Sequence, residues 1–380
     1  MKQANSTKNN SKKLGVLIGG SGLIGGTLTY YFKTKTPDTI EILAPSSKKM
    51  SLREPGDIKL YFKQYKPHFI INAAIAAIDS DPQLAYETNY IGSIRLANVA
   101  LELGIPYIHI SSAATMPSGE NLTEQNRIEL RPDLSNYAKS KLMTEMTLEH
   151  LHKSKGLDYT VIRLAVVYGT HDHKIQGFHR LFFSIANKSM PVILTTKEVL
   201  HSYSNCQKLP DFIHQMLDHR DEFGGQTYNF VDRNPVNLSQ LILTIKSYLE
   251  LNFPKNIHLP YTLAKITKSL LLGVVRLLNR IGIESRMPAE IMFLENFYKT
   301  QTLSSKKLEA SSFVDPDPGT TIYTELPTII QYYITRWEHL NLISPYNKCF
   351  FDPKRKTEKF ISAPEKLLDE INTGELDIFE

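Results

Sequence analysis

Short apolar runs alternate with longer stretches of helical periodicity over the first 170 residues. Leu14-Gly15-Val16-Leu17-Ile18, Thr39-Ile40-Glu41-Ile42-Leu43, Phe69-Ile70-Ile71-Asn72, Tyr107-Ile108-His109-Ile110-Ser111 and Tyr159-Thr160-Val161-Ile162-Arg163-Leu164 read as buried strands. An apolar helical pattern follows the first run, and a helical segment is expected near Pro82 to Leu103. Strands that alternate with helices predict an α/β fold, a Rossmann-type doubly wound parallel sheet with helices on both faces. The later chain predicts a smaller, mainly α C-terminal lobe.

Gly19-Gly20-Ser21-Gly22-Leu23-Ile24-Gly25 joins the first strand to its helix. Glycines 19, 22 and 25 allow a tight turn, close approach of backbone to a pyrophosphate, and close helix–strand contact. The helix start offers N–H groups and a positive dipole end to the phosphates. Gly19, Ser21, Gly22, Leu23, Ile24 and Gly25 are therefore the expected cofactor cradle. Asn72, Ala73 and Ala74 join them, because ligands of such sheets sit at the carboxyl ends of the strands. An NAD site usually places a carboxylate about 20 residues past the glycines. This chain has Ala44-Pro45-Ser46-Ser47-Lys48-Lys49 there, and Ser46 and Lys48 could receive a 2′-phosphate. NADP(H) is favoured and NAD(H) is allowed.

Tyr137 and Lys141 are four residues apart, which sets both on one face of a helix. A phenol has an unperturbed pKa of ~10, and a neighbouring cation favours its ionised form. The pair reads as acid/base machinery for interconverting a carbonyl and an alcohol. Tyr31 and Lys35 repeat the spacing, but on the first helix, away from where a nicotinamide would lie.

In order along the chain stand Gly19-x-x-Gly22-x-x-Gly25, Asn72-Ala73-Ala74, Asn89 with Gly92, Ser111-Ser112, Tyr137-x-x-x-Lys141, Arg163 with Val167-Tyr168-Gly169, and Tyr228-Asn229-Phe230-Val231. From about Leu14 to Tyr333 the chain resembles an extended short-chain dehydrogenase/reductase, the NAD-dependent epimerase/dehydratase group. Met50-Ser51-Leu52-Arg53-Glu54-Pro55 and Ala85-Tyr86-Glu87-Thr88-Asn89 resemble segments of its dTDP-4-dehydrorhamnose reductase type. Ser51 replaces an aspartate of that type, and Ser111-Ser112-Ala113 replaces its Ser-Thr-Asp triplet. The resemblance implies that Tyr137 protonates a carbonyl oxygen as hydride reaches the carbonyl carbon. Lys141 would hold the nicotinamide ribose and lower the Tyr137 pKa, and Ser112, ahead of Ser111, would donate to the oxyanion. It further implies cofactor contacts from Asn89 and Val166, and substrate contacts from Ser111, Ala113, His179 and Arg180. Dehydratases of the group follow the serine or threonine with an Asp-Glu pair, where this chain has Ala113-Ala114. The expected function is reduction of a keto group on a sugar nucleotide or similar polar sugar. A 4-epimerase with retained NAD, a hydroxysteroid or lipid alcohol dehydrogenase at a membrane surface, and a non-catalytic cofactor-binding regulatory subunit are the alternatives.

The chain of 380 residues has material for two lobes. We divide it into a polar, disordered tail (1–13), a Rossmann domain (14–170), a substrate lobe (171–345) that returns some chain to the sheet, and a charged appendage (346–380). Net charge is only +5, which argues against a nucleic-acid partner. Two cysteines, Cys206 and Cys349, form no disulfide framework, so a cytoplasmic setting is expected. The expected assembly is a homodimer acting on a small molecule. His171 and His173 have only Asp172 beside them, and no metal is expected. Asp211 reads as a helix N-terminal carboxylate. No apolar run is long enough to cross a bilayer. Residues 260–283, with Lys265, Lys268, Arg276 and Arg280 among apolar positions, form a basic amphipathic stretch. The expectation is a helix packed on the lobe with its basic residues outward. Peripheral contact with an anionic membrane is the alternative.

Overall fold

A computed structural model describes residues 12–76, 80–188, 192–193, 198–256, 260–280, 294–344 and 359–374. The proposed tail and appendage lie largely outside these residues. At the centre is a six-stranded sheet in which every neighbouring pair is parallel. Across it run Gln226–Phe230, Tyr159–Leu164, Tyr107–Ser112, Phe69–Asn72, Lys13–Ile18 and Ile40–Leu43. The chain leaves its first strand in one direction to Ile40–Leu43, then returns to the other side at Phe69–Asn72. The loop after Ile18 therefore opens at a topological switch point, where the carboxyl ends of the strands leave a crevice.

Both sheet faces are covered, which is why the strands read as continuous apolar runs. Leu17, Ile71, Ile108 and Ile162 pack with Leu28 and Phe32 of helix Leu23–Thr34 and with Phe212 and Ile213 of helix Leu209–Asp218. On the other side Val16, Ile70 and Val161 pack with Leu96 of helix Gly92–Leu103 and Leu148 of helix Asn136–Lys155. Fully burying each such side chain is worth about 1.5–3 kcal/mol. The later chain supplies both the edge strand Gln226–Phe230 and the covering helix Leu209–Asp218. It also forms a four-stranded sheet with Gly119–Leu122.

The helix expected from Pro82 to Leu103 is interrupted. Pro82–Leu84 leads into a π-helical segment, Ala85–Ile91, before Gly92–Leu103 resumes the α-helix. The Asn89 carbonyl in this segment accepts from the Ser93 and Thr144 hydroxyls at 2.7 and 3.2 Å. Side chains from two helices thus stabilise the wider turn.

Within the basic stretch 260–283 the structure describes helix Tyr261–Arg280, on which Lys265 and Arg280 are exposed. Leu263, Ile266, Leu270, Val274 and Leu277 are exposed, so an apolar stripe faces outward. Ala264 is buried, and Lys265 and Lys268 act on Glu295 of the neighbouring turn Leu294–Phe297.

Residues up to 329 form one compact unit and those from 330 a second. In the second, the Tyr333 and Trp337 rings lie 5.1 Å apart, and Pro364–Asn372 forms a short helix.

Candidate active site

The glycine loop is built by close contacts that no larger residue would permit. Gly19 has φ +89°, and a Cβ there would lie 2.7 Å from the Ala73–Ala74 backbone. A Cβ on Gly25 would lie 2.1 Å from the Gly19 carbonyl oxygen, so this glycine lets the helix start against the strand. Gly22 differs: the nearest atom to a Cβ there would be 3.6 Å away. Protein packing does not exclude a side chain at Gly22, but such a side chain would intrude on a ligand lying against the loop. Gly22 caps helix Leu23–Thr34 without a side-chain hydrogen bond, and no acidic residue occupies the first turn. This end suits a diphosphate. A cleft of about 740 Å³ borders Gly20, Ser21 and Gly22, with Tyr168, Gly169 and Asn205 among its other walls. The residues present therefore fit a dinucleotide.

Beside the loop, Ile24, Ala73, Ser112, Tyr137, Lys141 and Val167 are among the residues enclosing a cavity of about 80 Å³. Tyr137 and Lys141 come from helix Asn136–Lys155, whose start is fixed by the Ser135 hydroxyl accepting from the Ala138 N–H at 3.2 Å. Ser112 ends the Tyr107–Ser112 strand. Its hydroxyl accepts from the Ala114 N–H at 3.2 Å, and Ser112 and Tyr137 line the same cavity. Lys141 is buried and donates to the Ile110 carbonyl at 2.7 Å. Burial pulls its pKa down to about 8, against the upward pull of Glu145.

The Tyr137 phenol departs from expectation. Burial pushes its pKa above the ordinary value, and the nearby Ser112 side chain pulls it partly back.

Under these groups lies a buried polar network. Glu145 accepts from Arg163 Nη2 at 2.7 Å and from Arg163 Nε at 3.2 Å. Ser111 and Thr115 donate to the same carboxylate at 2.5 and 3.1 Å. Arg163 also donates to the Glu124 carbonyl at 2.9 Å, and the Glu124 carboxylate accepts from the Asn229 N–H at 3.0 Å. Glu145 was absent from the expected site, although its position four residues after Lys141 marks it as sharing that helix face.

The other expected contact residues are placed as follows in the protein. Ser111 borders the cavity, but its hydroxyl is committed to Glu145. Asn72 donates to Ser93 and Tyr107 at 2.9 Å each and accepts from the Ala74 N–H at 3.1 Å, so its side chain shapes the strand end. Asn89 accepts from the Ala76 N–H at 2.7 Å and donates to Ser140 at 3.3 Å, and it too is fully buried. Ala165 and Val167, on either side of Val166, line the cavity, as the alternation of an extended strand requires. His179 is buried, with Nε2 2.6 Å from the Gly169 carbonyl and Nδ1 3.0 Å from the Asp172 carboxylate. It packs edge-on against Phe178 and braces the Gly169 turn. Arg180 is exposed on helix Phe178–Ala186. Ala113 is buried, and its carbonyl accepts from Gln301 Nε2 at 3.1 Å. Ser46 and Lys48 are exposed past the end of strand Ile40–Leu43, whereas Lys49 donates to Tyr65 at 3.1 Å. Tyr31 donates to Asp211 at 2.9 Å, and Asp211 stands in the first turn of its helix. Among the described residues no group of three or more His, Cys, Asp or Glu is arranged to hold a metal ion.

The model of the NAD dependent epimerase/dehydratase family matches residues 16–230. GDP-L-colitose synthase of Yersinia pseudotuberculosis is 24% identical over 59% of this chain and 75% of its own length. The N-acetyl-alpha-D-glucosaminyl-diphospho-ditrans,octacis-undecaprenol 4-epimerase of Escherichia coli O157:H7 is 25% identical over 62% of this chain and 69% of its own. A dTDP-4-dehydrorhamnose reductase from Bacillus anthracis, solved in complex with NADP, superposes with a TM-score of 0.58 at 16% identity. That likeness covers 80% of this chain and 95% of the other, and it shows the shared fold.

Proposed function

The chain belongs to the NAD dependent epimerase/dehydratase family, and from that premise we propose that it is an NADP(H)-preferring reductase of a keto group on a nucleotide-linked or similar polar sugar. The observation carrying this reading is the convergence of Tyr137, Ser112 and Lys141 on one cavity beside the glycine loop. Bound nicotinamide supplies hydride chemistry. The protein's part is to place and protonate the substrate oxygen. Burial keeps the proton on Tyr137, and a neutral phenol is the form that can donate as a carbonyl becomes an alcohol. Ser112, which lines the same cavity as that phenol, would donate to the developing negative charge on the same oxygen. Lys141 would hold a ribose hydroxyl through its ammonium. Gly19, Gly22 and Gly25 would cradle the diphosphate, and Ser46 and Lys48 would meet a 2′-phosphate. Ala113 and Arg180 remain the proposed substrate contacts. Ala113 and Ala114 offer no carboxylate for eliminating water, which supports simple reduction over dehydration.

Incubation with NADPH or NADH and a panel of keto-sugar nucleotides tests the reading. Stoichiometric consumption of NADPH in preference to NADH is expected. Tightly held cofactor that is never consumed, while an isomeric sugar accumulates, would instead support a 4-epimerase. The named activity of the Escherichia coli relative favours that second reading.

A further inference from the structure

Helix Tyr261–Arg280 contains four cations, Lys265, Lys268, Arg276 and Arg280, and no carboxylate. Leu263, Ile266, Leu270, Val274 and Leu277 are 50%, 57%, 68%, 52% and 60% exposed. Their spacing of three and four residues aligns them in one stripe, about 21 Å long at helical rise. The inner side is marked by buried Ala264 and by Tyr261, whose ring lies 5.2 Å from that of Tyr298. Lys265 and Lys268 fall well off the apolar stripe and act on Glu295.

We propose that this helix lies in the surface of an anionic lipid bilayer. Its apolar stripe enters the acyl boundary while the exposed Lys265 and Arg280 stay at headgroup level. Charge selects this occupant over a second copy of the chain. Two copies would lay helices of like charge together with no carboxylate in either helix to offset them, whereas anionic headgroups supply the opposite charge. The helix lies on the membrane rather than through it, since among the described residues no helix is long and apolar enough to cross.

The docked helix also connects to the candidate active site. Tyr298 packs on its first turn, and Gln301 follows within about 11 Å of chain. Gln301 donates to the carbonyls of Ala113, Met116 and Pro117, immediately beyond Ser112. A membrane-seated helix would therefore hold one edge of the site near the headgroups.

Sedimentation of the full chain with vesicles tests this. The protein should pellet with mixed phosphatidylcholine–phosphatidylglycerol vesicles at low salt, pellet less with phosphatidylcholine alone, and be released by salt. The double variant Leu270→Glu, Leu277→Glu should lower binding at least about tenfold, because it places two carboxylates on the stripe. Its melting temperature should hold, since both side chains are exposed. Should that variant fold poorly, Lys265→Ser provides the second variant, with weaker binding to anionic vesicles expected. Wild type left in the supernatant with anionic vesicles at low salt overturns the proposal. So does a wild-type dimer, seen by light scattering, that the double variant converts to monomer with vesicle binding unchanged. Tyr137→Phe should pellet like wild type, so loss of the proposed reaction and loss of docking are read separately.

Discussion

Lys141 keeps an ammonium in a buried site with the Ile110 carbonyl as its hydrogen-bond acceptor and Glu145 as the opposing charge. Burial lowers its pKa from 10.5 to about 8. As pH rises through about 8 the folded protein loses this proton, while an unfolded chain keeps it until about 10.5. The unfolded state then binds more protons, so this group's contribution to stability rises with pH across that window. Below about 8 the full cost of the buried cation is present. Relative to wild type without cofactor, Lys141→Met should therefore gain on the order of 3 kcal/mol as pH falls from above 10.5 to below 8. Denaturant unfolding at several pH values measures it, and a variant whose relative stability is flat with pH would contradict the buried charge. In the proposed reaction the same proton loss should make kcat/KM fall above about pH 8. Tyr137→Phe should lower kcat by about 10²–10⁴-fold, the range for losing a positioned acid. Cofactor affinity, followed by fluorescence titration, should change little. Turnover equal to wild type would refute Tyr137 as the proton donor.

At the scale of one element, helix Asn136–Lys155 works because Tyr137, Lys141 and Glu145 recur every four residues along one face. Its tip reaches the cavity while Glu145 clamps the helix to Arg163 on the neighbouring strand, with both side chains almost fully buried. Removing one member of such a pair leaves an uncompensated charge. Glu145→Ala should accordingly cost about 3–5 kcal/mol in unfolding free energy, whereas an exposed pair such as Lys153 with Glu149 should cost less than about 1 kcal/mol on the same test. Equal, small losses would show that the Glu145 carboxylate is not paired as described. The Tyr137–Lys141 spacing and the glycine loop were readable in the sequence because both are set by neighbours within a few positions. The protein partners of Asn72, Asn89 and His179 were not readable for the complementary reason: the direction of a polar side chain is decided by distant packing partners. Ser93 and Tyr107 take Asn72, Ala76 and Ser140 take Asn89, and Gly169 with Asp172 takes His179. The π-helical segment escaped notice too, because its support includes Thr144 from another helix.

Across the molecule, burial on both faces made the strands of the parallel sheet legible, while the edge strand Gln226–Phe230 depended on chain returning from far along the sequence. The basic periodicity of Tyr261–Arg280 was legible as well, but periodicity cannot say which face meets the protein, and an apolar stripe is exposed along with Lys265 and Arg280. The glycine loop, the Tyr137 cavity, the polar network and the Gln301 brace all fall between residues 19 and 301. The helix Pro364–Asn372 belongs to the other compact unit. Lys359 pairs with Glu370 at 2.6 Å inside that segment, and Phe360, Ile361 and Leu368 are 69%, 74% and 58% exposed. A segment with an internal ion pair and outward apolar side chains contributes little core. Ending the chain after residue 344 should consequently leave kcat/KM within about threefold, well under the tenfold that 1.4 kcal/mol would produce. Its melting transition should stay within a few degrees of wild type. A collapse of either quantity, measured by steady-state kinetics and calorimetry, would mean that residues 345–380 help to build the site. The proposed boundary at 346 would then have to be abandoned.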